Sequence, residues 1–239
     1  MSVSRLPSSL WLAACLGAAA LLPVHAQGVL PVPQNVVQLS ASGAVEVPQD
    51  FLTMTLSTTR ESPDAATVQT QLKAAIDAAL AEARKSVQAG QMEVRSGGFS
   101  LSPRYTKEGR ISTWQGTAEI VLEGRDFGRI SSAAGRVQGL TVGQVAFSLS
   151  REERARVEGQ AQAQAIAQFK AKATDIAKSF GFADYSLREV SVMSDEGGMP
   201  RPRMMPMQAK ASYADSAPVP VEAGKSTVTV TVSGGVQLR

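Results

Sequence analysis

The chain has 239 residues, of which 44% are hydrophobic and 19% charged, a globular balance that excludes a disordered chain and is enough to bury one sizeable core. Its net charge of +3 comes from bases interspersed with acids, without a basic stripe, which argues against a nucleic-acid surface. There is one cysteine and one histidine, Cys15 and His25, and both lie within the first 26 residues.

Those first residues read as a signal peptide over 1–26. Met1 to Arg5 is a short basic start, Leu10 to Leu22 is apolar and uncharged, and Val24-His25-Ala26 is the small-x-small pattern cut by signal peptidase, here before Gln27. The apolar run is short for a bilayer core of about 30 Å, so no transmembrane segment is expected in the mature chain. Leu12-Ala13-Ala14-Cys15 resembles a lipobox, which would place a lipid on Cys15. The apolar residues Leu16 to Leu22 that follow argue against it, since a lipidated chain turns polar at once. Cleavage near Ala26 would yield a periplasmic or secreted protein, and with Arg5 gone the charge falls from +3 to +2. The residues after Ala26 contain no thiol and no imidazole, so they form no disulfide, no Ser-His-Asp triad and no His/Cys zinc site.

Residues 27–35, with Pro31 and Pro33, read as an extended arm. Val36 to Val47 then alternates through Val37, Leu39 and Ala41 as a strand. Pro48-Gln49-Asp50 reads as a turn, and Phe51 to Thr59 alternates again, with Leu52, Met54 and Leu56 on one face. The two strands are expected to pair as an antiparallel hairpin. Ser62-Pro63-Asp64 reads as a helix start, with Ser62 as cap and Pro63 at the first helical position. Val68, Leu72, Ile76, Leu80, Ala83 and Val87 make one apolar stripe, closed by Gly90.

Met92 to Tyr105 and Ile111 to Glu123 form a long hairpin about Lys107 to Arg110, with a bulge at Gly97-Gly98. Asp126 to Val137 is a short helix and Leu140 to Leu149 a strand. Arg151 to Phe180 is the strongest helix; its stripe of Ala163, Ile166, Phe169, Ala173, Ile176, Ala177 and Phe180 is small enough to lie close on a sheet, and Gly181 stops it. Tyr185 to Met193 is a strand, 195–224 a Pro/Met-rich loop, and Ser226 to Leu238 a strand with valines on one face and threonines on the other. The order β β α β β α β α β β gives an α+β fold, largely antiparallel sheet with helices packed on one face.

Three segments resemble the SIMPL-domain family. They are Ser42 to Asp50, a small-Gly strand ending near Pro-Asp with Gln49 inserted; the alanine-spaced helix from Ala161 to Ala173 with Ile176 to Gly181; and Pro220 to Gly224 with the valine strand after it. The resemblance spans Val36 to Arg239, making 36–239 one SIMPL-like domain. It implies a periplasmic or cell-envelope protein that self-assembles as a homo-oligomer, with possible envelope protein partners. It also implies a loose link to envelope or oxidative-stress tolerance, no established catalysis, and no cofactor or catalytic residues to carry over.

Candidate sites read from the residues are few. Met199, Met204, Met205 and Met207 sit in one loop and could hold Cu(I) or absorb oxidants; Pro200, Pro202 and Pro206 suit a loose segment, and Arg201 and Arg203 would repel a cation. The acid pairs Glu152-Glu153 and Asp195-Glu196 could serve carboxylate chemistry or, respectively, a helix dipole and a loop start. Tyr105, Trp114 and Tyr185 could stack on a sugar or a protein, or line a half-buried sheet face. Gly97-Gly98 and Gly234-Gly235 begin no helix and make no phosphate loop.

Overall fold

A computed structural model describes residues 34–195 and 222–239. The leader, the lipobox, the proline arm up to Pro33 and the four loop methionines lie outside the described residues. All of the elements belong to the unit Asn35–Arg239. They run β1 (Val36–Pro48), β2 (Phe51–Ser62), α1 (Ala65–Arg84), β3 (Met92–Tyr105), β4 (Ile111–Gly124), α2 (Phe127–Arg136), β5 (Thr141–Ser148), α3 (Arg151–Ser179), β6 (Tyr185–Asp195) and β7 (Lys225–Leu238). The fold is α+β, in the order expected, and every strand pair is antiparallel.

The strands form two sheets, ordered β1-β7-β6 and β3-β4-β2-β5. The expected hairpin of β1 with β2 is therefore absent: β1 pairs with β7, and β2 sits between β4 and β5. The reason lies in the two connecting residues. A two-residue hairpin needs positive φ at one or both central positions, and neither Gln49 nor Asp50 has it. Instead the Gln49 amide donates to Gly224 beside the first sheet, at 2.9 Å, and the Asp50 amide donates to Ser148 in the second, at 3.1 Å. The chain changes sheets between these two residues.

The four-stranded sheet buries Leu52, Met54, Leu56, Ile120 and Leu122 against Ala79 and Ala83 of α1 and Ile130, Ala133 and Ala134 of α2. Leu52, Met54 and Leu56 are the face that alternation assigns. The β3–β4 hairpin forms as expected, and its register slips between Ser96 and Phe99, at Gly97-Gly98. Helix α1 starts later and ends earlier than expected. Strand β2 continues to Ser62, so the cap is Asp64, whose carboxylate accepts from the Thr67 amide at 2.7 Å and the Thr67 hydroxyl at 2.8 Å. Pro63 thus precedes the helix. At the other end the helix closes at Arg84, which leaves Val87 outside it and exposed. Asp64→Ala should lower the melting temperature by a few degrees, and Asp64→Ser should restore most of it, as read by circular dichroism; equal melting of all three would deny the cap any weight.

Among the described residues, the three-stranded sheet is covered by α3 alone. Its buried stripe is Ala161, Ala165, Phe169, Ala173 and Ala177, spaced by four, packed on Leu39, Val230, Val232, Val236 and Leu238. Ala163 and Phe180, placed on the stripe by the sequence, are exposed, Phe180 by 69%. The inward choice of Ala161 over Ala163 has a packing cause, whereas Phe180 is the C-cap beyond the last helical residue. A Cβ on Gly43 of β1 would stand 2.2 Å from the Ala161 carbonyl oxygen and 2.7 Å from the Ala165 nitrogen, so the backbones touch there and residues as small as Ala161 and Ala165 are needed at that point. Val47, Leu149, Val157 and Val228 make a smaller core where the chain passes between the sheets.

Candidate functional site

Strand β6 presents an exposed apolar edge. It lies at the edge of the three-stranded sheet and, among the described residues, pairs only with β7. Register puts Val192 opposite Val232, and Val190 opposite Gly234, so both valines share the face on which α3 lies. The α3 core nevertheless takes in Val232, Val236 and Leu238 and, from β6, only Tyr185 at its start. Leu187, Val190, Val192 and Met193 are left 44–63% exposed. The central run Val190-Ser191-Val192-Met193-Ser194 has no charge and no proline, the devices that usually blunt a sheet edge. The opposite edge, β1, differs: its outward residues are Gln38, Ser40, Ser42, Ala44 and Glu46, and Lys172 donates to the Ser40 carbonyl at 3.1 Å.

The second constellation is polar. Asp50 accepts from the Ser150 amide and the Ser150 hydroxyl, each at 2.7 Å, and from Arg125 Nη2 at 2.7 Å and Nε at 3.1 Å. Arg125 Nη2 also donates to Ser150 Oγ at 2.8 Å, and Ser150 caps α3 by accepting from the Glu153 amide. Burial pushes the Asp50 pKa up, but the Ser150 hydroxyl and amide and then Arg125 outweigh it and hold the carboxyl below its ordinary value. The node ties three chain connections together: β1 to β2, β4 to α2, and β5 to α3. Asp50, Ser150 and two of the three Arg125 nitrogens are tied to one another, an arrangement suited to holding the junction.

The other nominated residues disperse. Glu152 and Glu153 occupy the first turn of α3, and Arg156 pairs with Glu153 and lowers its pKa. Asp195 is the last residue of β6, not the start of a loop, and Glu196 lies outside the described residues. Trp114 packs on Val68, Leu72 and Ala118, and Tyr185 on the α3 core, whereas Tyr105 remains 62% exposed. Two grooves open on the second sheet, one of about 340 Å³ beside α1 and Phe99, the other of about 540 Å³ at the far end of the β3–β4 hairpin; each is lined by one carboxylate, Asp77 and Glu61. Among the described residues no three His, Cys, Asp or Glu side chains gather as a metal site. No described helix is long and apolar enough to cross a membrane.

Residues 37–236 match the model of a family described as SIMPL, protein of unknown function (DUF541). The chain belongs to the SIMPL family. No curated protein matches the chain. Placed on the structure, the segments that carry the SIMPL resemblance are architectural. Ser42 to Asp50 supplies the glycine contact and the junction carboxylate. The alanine helix supplies the contact line on the first sheet, and the valine strand is the middle of that sheet. Two partners in the SIMPL junction, Arg125 and Ser150, escape sequence reading as a pair. Ser150 is visible as a cap two residues before Glu152-Glu153, but nothing in the spacing links it to Arg125 or Asp50. The open edge of β6 is likewise invisible locally, because an edge is defined by a neighbour that is missing.

Proposed function

We propose that this SIMPL protein is an exported, non-enzymatic component of the cell envelope that works by self-assembly through the β6 edge, with a role in envelope or oxidative-stress tolerance. The observation that carries the assembly claim is the uncharged, exposed run Val190 to Ser194 on an edge strand of the described sheet, a surface that soluble proteins normally protect. Export is supported by the leader pattern up to Ala26, and the non-enzymatic reading by the absence of histidine and cysteine from residues 27–239.

A second copy suits this edge. Antiparallel pairing about a two-fold axis normal to the sheet sets residues of equal parity opposite each other. With Ser191 on the axis, Val190 of one copy meets Val192 of the other. The apolar row on the α3 side then becomes continuous across six strands, and both α3 helices lie on one face.

Sedimentation velocity of the protein purified from cells tests this. The parent should sediment as an oligomer at micromolar concentration. Val192→Lys should weaken association by at least about tenfold, since a lysine on each edge repels its copy, without changing the melting temperature of the protomer. A strictly monomeric parent, or assembly indifferent to Val192→Lys, sinks the proposal. N-terminal sequencing of the same material should begin at Gln27; Met1 retained, or an acylated Cys15, would overturn the soluble export reading.

A further inference from the structure

The outer face of the four-stranded sheet, away from α1, carries ordered polar rows. Register places Ser102, Gln115 and Glu61 side by side across β3, β4 and β2, with Ser100, Thr117 and Thr59 as the next row. The Thr59 and Thr117 hydroxyls are 3.1 Å apart, and Thr113 donates to Glu61 Oε1 at 2.5 Å. These contacts fix side-chain orientation before any ligand arrives. The first row borders the 540 Å³ groove at the hairpin end, whose lining includes Glu61, Ser102, Arg104, Tyr105, Thr113 and Gln115.

Three features of this groove constrain what it takes. Its charges are Glu61 and Arg104, one of each sign, so neither a strong anion nor a strong cation is favoured. Hydroxyls and an amide supply both donors and acceptors in a fixed row. Tyr105, the one aromatic ring in the lining, is 62% exposed, so it offers apolar side-chain surface to a ligand there. A ligand that is neutral, presents hydroxyls in two directions and offers an apolar ring face matches all three: a sugar ring. We infer that the groove between the β3–β4 hairpin end and Glu61 is a binding subsite for a neutral glycan, with Tyr105 as the stacking platform and Glu61, Arg104 and Gln115 as the hydroxyl-reading groups. The polar rows of Ser102 and Ser100 lead from the groove across the sheet, which suits a chain of sugars better than a monosaccharide. The site is on the opposite sheet from β6 and does not depend on assembly.

Calorimetry and Trp114 fluorescence, with the purified protein and the tetramer of N-acetylglucosamine and maltotetraose as probes, test this. At least one of these oligosaccharides should bind with millimolar or tighter affinity. Tyr105→Ala should weaken it about tenfold, and Tyr105→Phe should stay within about threefold, because stacking needs the ring and not the phenol. Tyr105 is exposed, so both variants should melt with the parent. The inference is overturned if neither oligosaccharide binds at about 10 mM, if binding is indifferent to Tyr105→Ala, or if a neutral alanine-rich pentapeptide binds there and the sugars do not.

Discussion

Gly43→Val is expected to cost about 3 kcal/mol or more, enough to lower the melting temperature by roughly 6–12 °C in a domain of this size. The contact is backbone to backbone. A carbon and a carbonyl oxygen rest about 3.3 Å apart at closest comfort, whereas a Cβ here would stand 2.2 Å from the Ala161 oxygen. Neither group is the end of a flexible side chain, so α3 as a whole would have to lift from β1. That would loosen Leu39, Phe169, Val230 and Val232, which are all buried under the same helix. Gly43→Ala meets the same oxygen and should also destabilise, by less than valine. Thermal melts followed by circular dichroism would decide the matter: a valine variant within about 2 °C of the parent would mean that the close approach carries no weight.

Asp50→Ala should cost about 2 kcal/mol, from charge-assisted hydrogen bonds lost to Ser150 and Arg125 and from the donors left behind. Asp50→Asn keeps the shape and should fall between parent and alanine. The parent's advantage over Asp50→Asn should depend on pH in a set direction. The folded-state pKa is below the ordinary aspartate value, so the carboxylate's contribution is complete above the unfolded-state pKa and is lost as pH falls through the folded one. Melting temperatures of the two proteins should therefore differ at pH 7 and converge once the pH has fallen below the folded-state pKa. A gap that stays constant across that range would show that the ionised form gives the junction nothing.

Local pattern made most of the elements legible. Alternation placed Leu52, Met54 and Leu56 inward, the glycine pair marked the slip in β3, and Gly181 marked the end of α3. Partnership was legible only where the chain doubles back at once, as in the β3–β4 hairpin. It was not legible for β1, whose partner begins at Lys225. The α3 stripe was misplaced for a related reason. Alanine fits either face of a helix, so Ala161 or Ala163 could be inward, and the choice is made by a glycine in a distant strand. The groove at Tyr105 shows the same limit: the ring was visible in the sequence, while Glu61 joins it only through the β2–β4 register.

The placing of β7 between β1 and β6 bears on the order of events during synthesis. The strands that flank it are both made earlier, one of them at the very start of the unit, and neither has another partner in that sheet. Until its fourteen residues emerge, Leu39 and the alanine line of α3 have no sheet to close upon. Closure then spans nearly the whole unit, the kind of long-range pairing that slows folding and leaves chaperones a long interval in which to act. The four-stranded sheet, by contrast, is complete once β5 has been made, so the two halves should mature in sequence rather than together.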